Sequence, residues 1–227
     1  NVEKNLQNAK DLFQSQLNEI FSHKSEDWQD KAIGKMSETV TKGSSPKWQG
    51  ISYVDENGIL FITSENVGQG KLLFQKTKYV EKKFNDIEPK SILRKGDVLT
   101  NIVGASIGRT AVYDIDDIAN INQAVCIIRC NEVDLHNYYL MYLLNSPFFK
   151  NILHDNEVNM ARANLSLTFF RELLIPVPFY QKQKDIVNLI KSYEKLCVKL
   201  LFNYQQELDA LDELKKSILE KAFNGEL

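Results

Sequence analysis

From Ile186 to Ala222, apolar residues recur at steps of three and four: Ile186, Ile190, Tyr193, Cys197, Leu200, Tyr204, Leu208, Leu211, Leu214, Ile218 and Ala222. Lys, Glu, Asp, Gln and Asn fill the remaining positions, and no Pro or Gly intervenes before Gly225. The spacing predicts one long helix. It would span roughly 54 Å at about 1.5 Å per residue, too long for a small domain to cover, so its stripe requires another helix. A second stripe, Leu6, Ala9, Leu12, Phe13, Leu17, Ile20 and Phe21, lies near the start of the chain. The two match at an offset of 202 residues: Leu6 on Leu208, Asp11 on Glu213, Leu12 on Leu214, Ser15 on Ser217, Leu17 on Leu219 and Phe21 on Phe223. The shared Ser-x-Leu-x-x-x-Phe ending exceeds what amphipathicity demands and reads as an internal repeat, one domain plus one helix in period.

Between the helices the period changes. β-rich runs at Ile59–Thr63, Asp97–Val103, Thr110–Tyr113 and Ala124–Arg129 are separated by turn chemistry such as "KGSSP", "ENGI" and "GQGK". A helix is expected over Leu135–Leu144 with Asp134 as its cap, and another starting at Ser146-Pro147. "LLIPVPFY" must be extended because Pro176 and Pro178 exclude helix. The expected architecture is α+β: a helix over residues 1–23, a mixed α/β domain over 24–180, and a long helix over 181–227 forming an antiparallel, coiled-coil-like pair with the first.

Composition narrows the function classes. At 227 residues and 43% hydrophobic the chain needs no disulfides to hold a core. Cys126, Cys130 and Cys197 form no CxxC pair, which fits reduced thiols in the cytoplasm and argues against structural zinc. No stretch of eighteen apolar residues is present, so no membrane partner is expected. The chain opens Asn-Val-Glu-Lys, without an initiator Met, and is expected to be a piece of something longer. The net charge of −2 hides one basic segment, residues 71–110, with nine Lys/Arg against four Asp/Glu. It runs from Lys71 through Lys76, Lys78, Lys82, Lys83, Lys90, Arg94 and Lys95 to Arg109, a density compatible with a phosphate backbone.

"VGASIGR" at 103–109 has the composition of a phosphate-cradling loop, but "TAVYDI" follows where an NTPase has Lys-Ser/Thr opening a helix. Strand, glycine turn, strand is the reading that fits. "NSPFF" at 145–149 resembles an adenine-methyltransferase motif, yet the second proline and any glycine-rich cofactor loop upstream are missing. His23, His136 and His154 are too scattered for a metal site or triad. The donors suited to base edges and phosphates are Lys42, Ser44, Ser45 and Lys47 on "TVTKGSSPKW", read as a flexible loop with Trp48 behind it; Lys71, Lys76 and Lys78; Ser106 and Arg109; and Asn159, Arg162 and Asn164 of "NMARANLS".

The motifs "KGSSP", "ILRKGDVLTNIVGASIGRTAVY", "NINQAVCIIR", "ANLSLTFFRELLIPVPFYQKQKDIV" and "LDELKKSILEKAFNGEL", in that order and over essentially the whole chain, resemble the specificity subunit of type I restriction-modification systems. Lys182 stands where that family usually has an acidic residue, a departure confined to the helix start. The resemblance implies a noncatalytic module in which residues 24–180 form a target recognition domain reading one half of a split double-stranded DNA sequence. The helices would be conserved spacers docking the methyltransferase subunit, with a restriction subunit in a complete complex. No cofactor is implied on this chain; S-adenosylmethionine belongs to the methyltransferase partner. A second recognition domain, or a second copy of the chain, would read the other half-site. The interface of the spacer helices is expected to use Leu6, Leu12, Leu17 and Phe21 with Ile186, Ile190, Tyr193, Leu200, Tyr204, Leu211, Leu214 and Ile218. Two other classes remain open on the residues alone: a helical adaptor that does not read DNA, and a methyltransferase fragment built on "NSPFF".

Overall fold

The computed structural model describes residues 2–159 and 165–225. The elements in chain order are α1 (Val2–Ser22), β1 (Gln29–Ala32), β2 (Ser37–Lys42), β3 (Tyr53–Val54), β4 (Ile59–Ile62), β5 (Tyr79–Val80), α2 (Phe84–Ile87), β6 (Val98–Asn101), β7 (Thr110–Val112), β8 (Ala119–Ile121), β9 (Val125–Cys130), α3 (Asn137–Asn145), α4 (Pro147–Asn159), α5 (Leu167–Glu172), β10 (Leu174–Val177) and α6 (Tyr180–Phe223). One four-stranded sheet has the order β2-β9-β6-β7, a second the order β3-β5-β4-β8, and β1 pairs with β10. Helices cover one face of the first sheet and the second sheet covers the other.

Two buried faces explain the apolar runs. Along β9, Cys126, Ile128 and Cys130 pack with the helices, while Val125 and Ile127 pack against Leu60, Ile62, Ala119 and Ile121 of the second sheet. In β6, Val98 and Leu99 divide the same way. A strand buried on both faces loses its polar alternation and reads as continuous hydrophobicity. Phe61 turns to the outer side of the second sheet, with Ile51, Val80 and Phe84. Burial pushes the Cys126 thiol up to about 12 and raises that of Cys130, so neither thiol is a ready nucleophile or ligand.

Three expectations need correction. Residues 39–42 of the presumed flexible loop belong to β2, paired antiparallel with β9. Only Val40 of that strand is buried, so it carries no hydrophobic signal. The helix expected over Leu135–Leu144 starts at Asn137, with His136 at the cap position and no side-chain cap bond. The Asp134 carboxylate instead accepts from Asn131 at 3.1 Å within the preceding turn. Trp48, expected behind its loop, is 77% exposed.

The helix pair is antiparallel. Near the domain, Leu17 and Phe21 of α1 share a buried cluster with Ile186 and Ile190 of α6. Farther out, Ala9 lines one cavity with Cys197 and Leu201. Phe21 and Trp28 both meet Tyr139 edge-on, at ring distances of 5.5 and 6.4 Å, which ties the end of α1 to the domain. Along α6 the packed positions are Ile186, Val187, Ile190, Tyr193, Cys197, Leu201, Tyr204 and Leu208. Leu17 and Phe21 pack on this seam, but Leu12 and Leu200 are 48% and 38% exposed at the edge of a groove beside it. At 3.6 residues per turn the seam continues through Phe13 and Leu201, one position round from each. Beyond Leu208 every described residue of α6 is exposed, including Leu211, Leu214 and Ile218.

At the root of α6 one buried side chain makes the polar joint between helix and domain. Gln183, fully buried, accepts from the His136 backbone N–H at 2.8 Å and donates to the carbonyls of Asp134 at 2.9 Å and Pro178 at 3.0 Å. Lys182 beside it is exposed, so the charge at that position has little to disturb. Gln183→Ala strands one buried donor and two buried acceptors; it should cost about 2–4 kcal/mol, whereas Lys182→Glu should stay within about 0.5 kcal/mol. Urea unfolding of both variants checks this, and equal stabilities would refute the joint.

Candidate nucleic-acid interface

Strand direction decides where the loops go. β2, β4, β6 and β8 end, and β7 and β9 begin, on one side of the sandwich, because β2, β9, β6 and β7 alternate in direction while β4 runs parallel to β8. The two sheets are joined there. A Cβ on Gly43, just after β2, would lie 1.9 Å from the carbonyl oxygen of Ile121 at the end of β8. Asn101, at the end of β6, donates its side-chain amide to the carbonyls of Ser64 at 2.9 Å and Val67 at 3.4 Å. Segments 43–50, 63–78, 102–109 and 122–124 all emerge at this end. Leu165 is tied to it by its N–H, which donates to the Ile102 carbonyl at 2.9 Å.

This convergence brings together Lys42, Ser44, Ser45, Lys47, Lys71, Lys76, Lys78, Ser106 and Arg109, which come from three separate stretches of sequence. Arg162, Asn164 and the side chain of Asn159 lie outside the described residues. Lys78 forms an ion pair with Glu65 at 3.0 Å, whose carboxyl it holds below the ordinary range. Lys42, Lys47, Lys71, Lys76 and Arg109 have no carboxylate within ion-pair distance among the described residues.

The basic segment is therefore not one patch. Its other members are mostly ion-paired: Lys83 with Glu81 at 3.0 Å and Lys90 with Glu88 at 3.5 Å, the latter carboxylate also taking Gln49 of the 43–50 segment, and, at the opposite end, Arg94 with Glu38 at 3.7 Å and Lys95 with Asp116 at 3.0 Å. The opposite end of the first sheet carries Asp97, Asp114, Asp116, Asp117, Glu132 and Asp134. Asp97 is buried there and takes Arg129 bidentately, both bonds at 2.7 Å.

"VGASIGR" is a turn whose last three amides are occupied. Ile107 donates to the Gly104 carbonyl at 3.0 Å, Gly108 to Asn101 at 2.9 Å and Arg109 to Ser106 at 3.1 Å. Gly104 and Gly108 have φ of 72° and 79°, the left-handed region that glycine enters without strain. A strand, β7, follows the turn, so the helix N-terminus of a P-loop is missing here. Outward the loop offers the exposed Arg109 side chain and the partly exposed Ser106.

"NSPFF" supports this turn. Asn145, 2% exposed, donates to the Thr110 carbonyl at 2.7 Å and to Met141 at 2.9 Å, and accepts from the Thr110 N–H at 3.3 Å. Ser146 Oγ accepts from the Phe149 N–H at 3.4 Å, and Pro147 opens α4. With both amide atoms committed, Asn145 has nothing to offer a base, and the catalytic reading of the motif falls.

Two features escaped sequence reasoning. Trp48 projects from a 3₁₀ turn, Pro46–Gln49, pinned where Gln49 donates to Ser44 at 3.1 Å and Glu88 at 2.9 Å. A bulky apolar ring that a rigid turn holds in water, next to Lys47, is a ready stacking surface. Lys150 of α4 lies close enough to Arg109 for their charges to interact. The order of residues announces neither, although an unpartnered Trp after "KGSSP" was a signal available to read.

Loops gathered at one end of a sandwich, mounted on a long helix pair, define a binding head on a helical arm. Residues 10–210 match the family described as the type I restriction modification DNA specificity domain, and the chain belongs to that family. It is 26% identical over 224 residues to the type I restriction enzyme MjaVIII specificity subunit of Methanocaldococcus jannaschii, covering 92% of this chain and 50% of that one. It is 28% identical over 172 residues to the EcoBI specificity subunit of Escherichia coli, covering 76% and 36%. The chain thus spans half or less of the length of these relatives. Among solved structures, a chain from work on complex assembly and conformational transition of the type I R-M system superposes with a TM-score of 0.79 at 21% identity, covering 100% of this chain and 54% of that one. The HsdS subunit of Thermoanaerobacter tengcongensis superposes at 0.66 and 22%, covering 100% and 53%. These two share the fold, long final helix included.

Asn145→Ala removes the clasp on Thr110. It should cost about 2–3 kcal/mol and speed amide exchange at Thr110 and Gly108 well beyond that at Val98; uniform exchange across the three would count against the clasp.

Proposed function

We propose that this chain reads one half of a split double-stranded DNA target and holds methyltransferase subunits on its helical arm, without doing chemistry itself. The observation that carries the reading is the segregation of charge. Five cations without carboxylate partners among the described residues share the loop end of the sandwich with one exposed tryptophan, while the remaining charges of the basic segment are largely held in ion pairs. Phosphate contacts from Lys and Arg would position the duplex; Ser44, Ser45 and Ser106 are placed to meet base edges or sugars. Trp48 would stack on or wedge between bases. S-adenosylmethionine and the flipped adenine would belong to the methyltransferase partner, and the complex would work in the cytoplasm, where the DNA is.

The arm supports the second half of the proposal. Leu17 and Phe21 of α1 are buried on the domain at 2% and 1%, whereas their matches in the repeat, Leu219 and Phe223, are bare at 48% and 88%. The outer end of α6 is thus suited to seat another recognition domain, from a second copy or a longer chain, with the helix fixing the separation of two reading heads. The adaptor reading would leave the unpaired cations without a role.

Co-expression with a cognate type I modification subunit, in a host that does not methylate its DNA, tests the whole reading by mapping N6-methyladenine. A split motif is expected: palindromic if two copies of this chain assemble, asymmetric if a different domain supplies the other half. A stable complex with no methylation at any motif would contradict DNA reading, and failure to form a complex would contradict docking. Trp48→Ala should leave the melting temperature unchanged and weaken duplex binding; retained affinity would remove Trp48 from the interface.

A further inference from the structure

Arg109 and Lys150 come from different segments and meet beside the glycine turn, past which the backbone leading to Lys71 also runs. Arg109 has its backbone fixed on both sides: its carbonyl accepts from Asn101 at 2.9 Å, and the next residue is held by Asn145. Lys150 projects from the first turn of α4, where its N–H donates to the Ser146 carbonyl at 3.0 Å. Leu153, one turn on along the same face, has Cδ1 2.9 Å from where a Cβ on Gly108 would stand. The glycine turn therefore lies directly on the Lys150 face of α4. Lys71 follows Gly70, whose N–H donates to the Thr110 carbonyl at 2.9 Å.

Half-buried Lys150 has its ammonium held below the ordinary lysine range, first by burial and then by the Arg109 charge. It lines a cavity of about 510 Å³ between helix pair and domain, together with Gln69 of the neighbouring loop. Among the described residues of that lining the one carboxylate, Glu194, accepts from the Tyr142 hydroxyl at 3.0 Å. Backbone clamps hold these like charges together, an arrangement that costs free energy and that a bound anion would relieve.

We propose that Arg109 and Lys150 together grip a single phosphodiester of the DNA backbone, with Lys71 flanking it. The inference rests on the DNA-reading proposal and adds Lys150, a residue from the helical layer, to the interface. Two cations converging on one phosphate fix the duplex against the seam between domain and arm, so the contact sets register and carries no sequence preference.

The test is salt dependence of binding to 30-base-pair duplexes of pooled random sequence, using the full chain. Each neutralised phosphate contributes about 0.9 to the slope of log K against log salt. Lys150→Gln should weaken binding equally for all sequences, and Arg109→Gln with Lys150→Gln should lower the slope by about 0.9 in total. A loss of about 1.8 would mean two separate phosphates and overturn the shared seat, as would an unchanged affinity for Lys150→Gln. Lys95→Gln, whose lysine is paired with Asp116 outside the loop end, should change nothing. Should Lys150→Gln melt early, shielding of the wild-type Lys150 amine from acetylation by bound duplex gives the same answer, and an unshielded amine overturns the seat. If wild-type chain bound no duplex at low salt, the DNA-reading proposal itself would fall; loss of the Lys150 effect alone leaves it standing.

Discussion

The buried Gln183 carboxamide is the constraint from which the geometry of the molecule follows. It closes three hydrogen bonds where α6 leaves the domain, to His136, Asp134 and Pro178. Those partners lie in the turn before α3 and at the end of the extended β10 segment. A 44-residue helix, roughly 66 Å at 1.5 Å per residue, magnifies any error at its root. A single polar side chain with every atom satisfied fixes direction better than apolar packing alone, because each lost bond strands a buried partner. Phe21 and Trp28 on Tyr139 anchor the antiparallel helix to the same wall.

With the arm fixed, the loop end acquires a fixed position along it. The sheet directions gather four segments at that end, and ion pairing quenches much of the remaining basic charge. The residual field at the loops comes from pairing as much as from composition, which is why a chain of net charge −2 can present a local cationic surface. The buried Asp97–Arg129 pair serves the opposite end, bonding the turn before β6 to β9 through two short charge-assisted bonds.

Much of this was legible in the order of residues. The long helix, its partner, the strand–turn–strand reading of "VGASIGR" and the family resemblance all rest on periodicity or on motifs with a mechanical cause. Elements stabilised from outside their own sequence escaped. β2 buries one residue and exists because β9 offers it a ladder; α5 is six residues long with a Ser166 cap. Leu12 and Leu200 fit the stripe by type but miss the seam by one position, since a step of three or four cannot say which flank of a stripe faces the partner. Trp48, expected behind its loop, stands in water because the Pro46–Gln49 turn carries it outward, and Lys150 became a candidate only once the fold brought α4 against the glycine turn.

The central claim is that one end of the sandwich meets DNA while the arm and the acidic end do not. Amide hydrogen exchange of the chain with and without a duplex at low salt tests it most directly. The account predicts slowed exchange in segments 43–50, 63–78 and 102–109, with no change in 113–118 or 131–136. Protection at the acidic end, or equal protection at both ends, would contradict it.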